Sequence, residues 1–235
     1  MRFTVRQQIG KDVSMSGWLI KNVYLKPMKM MLFDDTEIFS SGKGGKRIFD
    51  VPDADLMLID NFFSKEESDY YYNFLYHNSQ WREYEMPMYD KIVTAPRMIT
   101  WYGESRRPER KSNPRWPSEL LQIRERVEQH THIQFNAVLL NLYRDGSDGV
   151  GWHSDKTTSI NKNMNIASVT FGETRLFRLR HKFLKHIPQI EIPLHHGTFL
   201  LMAGHTNTFW EHQVPKTARE VLPRINLTFR QVKEK

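Results

Sequence analysis

The sequence predicts an α+β fold with a mainly β core, an antiparallel sandwich of the jelly-roll type with helices packed outside one sheet. Three observations predict it. Two segments with helical apolar spacing lie between Ala54 and His132. After Phe135 the chain breaks into short runs in which polar and apolar residues alternate. The turn signals DGSDGVG, HHG and AGHTN separate several of these runs. Many short strands with period-2 patterning need a second sheet to cover their apolar face, and helices that precede them can cover the other side.

In chain order, residues 1–50 stand apart. They contain KPMKMM (26–31) and the Ser/Gly/Lys-rich SSGKGGKRIF (40–49), which reads as a flexible linker. The expected organisation is an N-terminal extension over 1–50 and one domain over 51–235. From Ala54, ADLMLIDNFF reads as a strand running into a helix start. Ser64 is a good N-cap, and Glu67 three places on completes a capping box. The helix that follows, SKEESDYYYNFLYHNS, places Tyr71, Phe74 and Leu75 on its buried side. After MYDKIV and PRMITWYG comes a second helix, PSELLQIRERVEQHT, with Leu120, Leu121, Ile123 and Val127 at roughly helical spacing. The β-like runs are 137–144, 166–172, 175–181, 189–194, 197–204 and 224–232.

Composition narrows the chemistry. The 235 residues contain no cysteine, which excludes disulfides, Cys-ligated zinc fingers, Cys-ligated iron–sulfur clusters and a Cys nucleophile. Any metal must therefore sit on His, Asp or Glu. No apolar run approaches 18 residues, so no membrane helix is expected. The first residues carry basic charge but no apolar stretch, so no secretory signal is expected. A net charge of +7 suits a polyanionic partner, nucleic acid first among them, although a merely basic soluble protein has the same balance. The expected location is the cytoplasm in a bacterium or the nucleus in a eukaryote, and a monomer is expected.

Three features converge on a metal. W-H-S-D places His153 and Asp155 two apart, so an extended backbone points both to one side. His212, in TFWEHQVP about sixty residues on, lies just beyond a strand pattern that a jelly roll can bring alongside. Two imidazoles and one carboxylate on one face leave coordination positions open, the donor set of non-haem Fe(II) oxygenases. An H-x-D alone is weak, and the chain has ten histidines. The closing strand P-R-I-N-L-T-F-R selects His212. There Arg224, Asn226, Thr228 and Arg230 alternate with Ile225, Leu227 and Phe229. On an ordinary sandwich that polar row would face solvent; beside a metal, its two guanidiniums suit a dicarboxylate such as 2-oxoglutarate.

N-L-Y (141–143), W-H-S-D (152–155), I-A-S-V-T-F-G (166–172), H-G-T-F-L-L-M (196–202), E-H-Q-V-P (211–215) and P-R-I-N-L-T-F-R (223–230) follow one another in order. Together they resemble the AlkB family of Fe(II)/2-oxoglutarate-dependent dioxygenases, in particular its eukaryotic-type nucleic-acid repair branch, over about residues 54–233. The resemblance implies a double-stranded β-helix core, with Fe(II) on His153, Asp155 and His212. It implies 2-oxoglutarate held by Asn141, Tyr143, Arg224, Asn226 and Arg230. It also implies an enzyme that oxidatively demethylates N-alkylated bases in DNA, with RNA as a further substrate, releasing formaldehyde, succinate and CO2. P-R-M-I-T-W-Y-G (96–103) resembles a family segment that places Arg97 and Tyr102 near the base, with Trp101 or Tyr102 turned inward. Met88, Tyr89, Asp90 and Lys91 stand where the duplex-acting branch carries an aromatic finger, and an ordinary surface loop fits the same residues. Arg106, Arg107, Arg110, Lys111, Arg175, Arg178, Arg180 and Lys182 offer phosphate contacts.

Two departures bear on the substrate. The family usually has an acidic residue two places after the metal Asp, where this chain has Thr157. The lid after Gly103 usually carries a Tyr, where this chain has the basic ESRRPERKSNPRW. They keep open the same oxygenase chemistry on modified RNA or on a protein side chain. A non-catalytic nucleic-acid-binding module on this fold is disfavoured by the retained ligands and arginines.

Overall fold

The computed structural model describes residues 39–88, 90–103, 112–113, 115–155 and 164–232. In order these form β1 (Gly45–Phe49), β2 (Asp55–Asp60), α1 (Lys65–Asn78), β3 (Arg82–Met88), β4 (Lys91–Gly103), β5 (Ser112–Asn113), α2 (Ser118–Thr131), β6 (Ala137–Tyr143), β7 (Val150–His153), β8 (Ile166–Gly172), β9 (Arg175–His181), β10 (Ile190–Leu194), β11 (Thr198–Ala203), α3 (Thr206–Phe209), β12 (Trp210–Val214) and β13 (Arg224–Arg230). The larger sheet has the order β1-β2-β11-β8-β13-β6-β4-β3, with β5 added in parallel to β4. The smaller sheet has the order β10-β9-β12-β7. No described helix is long and apolar enough to cross a membrane.

The α+β sandwich is as expected, and local chemistry explains its helices. Ser64 caps α1: its hydroxyl accepts from the Glu67 N–H at 3.2 Å, and the Glu67 carboxylate accepts from the Ser64 N–H at 2.8 Å. Tyr71 and Leu75 are buried as the spacing requires, and Phe74 is half-buried against the same core. On α2, Leu120, Ile123 and Val127 are buried, whereas Leu121 faces solvent. The apolar stripe of α2 is thus one residue narrower than its composition suggests.

Both helices cover one face of the larger sheet. Phe63, Tyr71 and Leu120 pack there with Val138, Leu140, Val169, Phe171, Leu227 and Phe229. The other face meets the smaller sheet, where Leu58, Ile166, Leu200 and Met202 pack against Phe177, Leu179, Ile192 and Trp210. β6 and β8 are covered on both faces and are buried at every residue, so they read as nearly continuous apolar runs. Gly197, in the turn before β11, has φ +76°, and a Cβ there would sit 2.5 Å from the Ser68 hydroxyl. Only glycine lets that turn tuck under the start of α1.

The stretch read as a linker contributes structure. Gly45–Phe49 forms β1, an edge strand antiparallel to β2. Its alternate residues lie against an exposed sheet edge whose N–H and C=O groups need partners, and that demand overrides the Gly/Lys-rich composition. The β3–β4 hairpin was also illegible, because its polar residues sit at the sheet margin and mask the period.

Candidate metal and co-substrate site

β7 and β12 are neighbours, and their register places His153 directly opposite His212. Asp155 follows β7 by two residues. The three side chains bring one ligand atom each within 4.8 Å of one another, a triad among the described residues. The imidazole centroids are 4.3 Å apart, and His153 Nε2 lies 3.9 Å from Asp155 Oδ1.

Each ligand is oriented by a neighbour. His153 Nδ1 lies 2.8 Å from the Gly151 carbonyl, which requires Nδ1–H as donor and leaves Nε2 a lone pair for a metal. His212 packs face-on against Phe177, with ring centroids 5.2 Å apart. Burial pushes its pKa down to about 3, with His153 nearby acting in the same direction and Asp155 opposing, so the imidazole stays neutral and keeps a lone pair for a metal. Burial by itself would raise the Asp155 pKa. The Arg230 guanidinium, together with His212 and His153, outweighs it and holds the carboxyl well below the usual range. Arg230 donates through Nη2 at 2.7 Å and Nε at 3.2 Å, both to Oδ2. One carboxylate oxygen is therefore tied to Arg230 while Oδ1 faces the imidazoles.

The polar row on β13 faces into the sandwich, not solvent. Arg224, Asn226 and Thr228 lie opposite Tyr143, Asn141 and Leu139 of β6, and opposite Gly172, Thr170 and Ser168 of β8. Arg224 is 1% exposed. Its Nη2 donates to Thr170 Oγ1 at 3.0 Å, but Nε and Nη1 have no partner among the described residues. Burial pushes its pKa down to about 10, although Tyr143 opposes the shift. A buried guanidinium with two free donors is costly unless an anion completes it, and a carboxylate fits that fork. Tyr143 lies beneath it, its ring 5.2 Å from Arg224 Cζ and 5.8 Å from Arg175 Cζ.

A family model described as the 2OG-Fe(II) oxygenase superfamily matches residues 55–230. The chain belongs to the 2OG-Fe(II) oxygenase superfamily. Alpha-ketoglutarate-dependent dioxygenase alkB homolog 3 from Bos taurus is 37% identical over 186 residues, 74% of this chain and 65% of that relative. The Homo sapiens protein of the same name gives the same figures. DNA oxidative demethylase ALKBH2 from Homo sapiens is 39% identical over 123 residues, 50% of this chain and 47% of that protein. The chain thus spans just under two thirds of the length of the alkB homolog 3 relatives it matches. These likenesses place it in the AlkB family of oxygenases. The solved structure of OsALKBH1 superposes with a TM-score of 0.58 at 17% identity, over 80% of this chain and all of that one, a likeness of fold. The superfamily's Fe(II) and 2-oxoglutarate agree with the donor set and with the two orphaned donors of Arg224.

Other expected residues are distributed differently. Asn141 accepts a hydrogen bond from Arg97 Nε at 2.9 Å, so Arg97 reaches the inner face. Asn226 braces the sheet: its amide donates to Ser168 Oγ at 2.7 Å and to the Val169 carbonyl at 3.2 Å, and its Oδ1 accepts from Thr228 Oγ1 at 3.2 Å. It spaces the two arginines and has little capacity left for a ligand. Trp101 lies on the inner face, opposite Leu139. Tyr102 does not reach the pocket. It points to the helix side against Trp116, 4% exposed, because adjacent strand residues alternate. Met88 and Lys91 pair across the β3–β4 turn, with Lys91 exposed; Tyr89 and Thr157 lie outside the described residues, as does the lid.

Several cations expected to meet phosphate are occupied. Arg175 is buried, donating to the carbonyls of Asp145, Asp148 and Pro215 at 3.0, 2.9 and 2.8 Å. Arg178 pairs with Glu191 at 2.7 Å and Arg180 with Glu211 at 2.7 Å, the latter lying 4.2 Å over the Trp152 ring. Lys182 donates to the Asn207 and Thr208 carbonyls. Arg175 reads from sequence as a phosphate contact, and nothing in RLFRLRH separates it from its more exposed neighbours, yet it is a buried brace. Asn207, whose amide holds the Asp155 main chain, was missed for the same kind of reason.

Proposed function

We propose that this chain removes methyl groups from N-alkylated bases such as 1-methyladenine and 3-methylcytosine in DNA, as an Fe(II)- and 2-oxoglutarate-dependent dioxygenase in alkylation repair. Formaldehyde, succinate and CO2 are the accompanying products. The observation that carries the oxygenase reading is the open His153–Asp155–His212 triad beside a buried Arg224 with two donors unpartnered among the described residues. The name DNA oxidative demethylase, carried by a 39% identical relative, and the +7 net charge support nucleic acid as the substrate.

When bound, iron and 2-oxoglutarate supply the oxidation of an alkyl C–H bond by O2. The residues of the chain do the rest. His153, Asp155 and His212 would hold the metal, with Arg230 fixing which oxygen of Asp155 is presented. Arg224, over Tyr143, would take one carboxylate of 2-oxoglutarate, and the buried inner face excludes water from the remainder. Arg97 and Trp101 would flank the base on that face. Because a stacked base cannot reach the pocket, the substrate base must be unpaired or flipped. The domain assigned to this chemistry is 51–235, with 1–50 an extension whose β1 residues join the sheet edge. It would act as a monomer, in the nucleus of a eukaryote or the cytoplasm of a bacterium.

The test is mass spectrometry of methylated oligonucleotides after anaerobic loading with Fe(II) and 2-oxoglutarate and exposure to air. Single-stranded DNA, duplex DNA and RNA are compared. Loss of the methyl group with matching succinate is expected. If 1-methyladenine and 3-methylcytosine both survive in every nucleic acid, the demethylase reading is wrong.

A further inference from the structure

We propose that Asn207 is a positioning residue for the metal centre, holding the main chain of Asp155 so that its carboxylate meets both imidazoles. The inference rests on the metal reading above. β7 ends at His153, so Asp155 has left the ladder that aligns His153 with His212. Asn207 takes over. Its Oδ1 accepts from the Asp155 N–H at 2.9 Å, and its Nδ2–H donates to the Asp155 carbonyl at 2.9 Å. The amide presents one N–H and its oxygen to Asp155 at the spacing of a peptide group, so it mimics a strand neighbour for a single residue.

The clamp is itself rigid. Asn207 lies in α3, 4% exposed, one residue after Thr206, whose hydroxyl donates to the Ala203 carbonyl at 2.6 Å and accepts from the Asp55 N–H at 2.8 Å. Lys182 Nζ donates to the Asn207 carbonyl at 3.1 Å and to the Thr208 carbonyl at 2.7 Å. Ser154 Oγ donates to the Trp210 carbonyl at 3.0 Å, tying the residue before Asp155 to the same turn. That turn runs directly into β12 and His212. One short helix therefore fixes the relative placement of two ligands, one through Asn207 and one through the strand it begins. Arg230 fixes the rotation of the Asp155 carboxylate; Asn207 fixes where its Cα stands.

Loss of such an outer partner typically weakens metal binding about 10- to 100-fold. Asn207→Leu keeps the branched shape and removes both hydrogen bonds; Asn207→Ala removes the bulk as well. Mn(II) binding is followed by the electron paramagnetic resonance signal of the free ion, and Co(II) coordination by visible absorption. About 10-fold weaker Mn(II) binding is expected for both variants, with an altered Co(II) spectrum. At saturating Mn(II), 2-oxoglutarate affinity is expected to stay within about threefold, because Arg224 lies on a different strand. If Asn207→Ala does not fold, Asn207→Leu decides. Mn(II) affinity equal to the parent's in a folded variant overturns the proposal. If the parent itself binds no Mn(II), the metal reading falls, and this inference with it.

Discussion

Replacing Arg224 by Met separates a structural arginine from one built for a ligand. Arg224 is fully buried, and its pKa falls from the ordinary 12.5 to about 10, which corresponds to about 3 kcal/mol of cost in keeping it charged. Of its polar atoms, Nε and Nη1 have no partner among the described residues. Methionine fills much of the same volume without charge, so the protein without co-substrate is expected to be as stable or more stable, by up to a few kcal/mol. Two charge-assisted hydrogen bonds to a carboxylate are worth about 1.5–3 kcal/mol each. Their joint loss, offset in part by the removed burial cost, is expected to weaken 2-oxoglutarate binding roughly 100-fold. Urea unfolding measures the first effect, and calorimetric titration of the Mn(II)-loaded protein measures the second. Destabilisation beyond about 2 kcal/mol, or 2-oxoglutarate binding within threefold of the parent, would refute the reasoning.

Mn(II) at 100 times its dissociation constant should stabilise the parent by about 2.7 kcal/mol, and His212→Ala should abolish that shift in a thermal melt. His196 is fully buried; its Nδ1 accepts from the Gly172 N–H at 2.8 Å, and its Nε2 lies 3.1 Å from Asp69 Oδ1. Burial lowers its pKa against the opposing pull of Asp69. The unfolded chain then takes up a proton near pH 6.5 that the folded chain resists, so stability falls as pH drops below 6.5 and is fully present above it. His196→Gln should flatten part of that fall in urea midpoints measured between pH 7.5 and 5, and an unchanged slope would show that His196 contributes nothing to it. Tyr102→Ala should cost about 3–5 kcal/mol of stability, as for a buried ring. Tyr102→Phe should leave oligonucleotide KM within twofold, because the ring lies on the helix side; a larger change would place Tyr102 at the substrate.

The parts of the molecule governed by local rules are legible in the order of its residues. The Ser64–Glu67 box set the start of α1, period-2 alternation revealed β9 and β13, and short apolar runs revealed β6 and β8. The i, i+2 spacing of His153 and Asp155, with His212 before the arginine strand, was enough to name the triad. Tertiary structure decided everything that depends on which face a strand turns inward and what meets it there. Alternation along β13 says that Arg224 and Ile225 face opposite ways, but not which face is covered by a second sheet. The polar row proved interior because β7, β9, β10 and β12 close over it. The same ambiguity concealed that Tyr102 belongs to the helix-side core and Trp101 to the opposite face of the sheet. Arg175 and Asn207 bond partners remote in sequence, Pro215 and Asp155, and no local pattern encodes such pairs. Local periodicity records a residue's neighbours along the chain; burial and hydrogen-bond partners across the sandwich exist only once the sheets have closed.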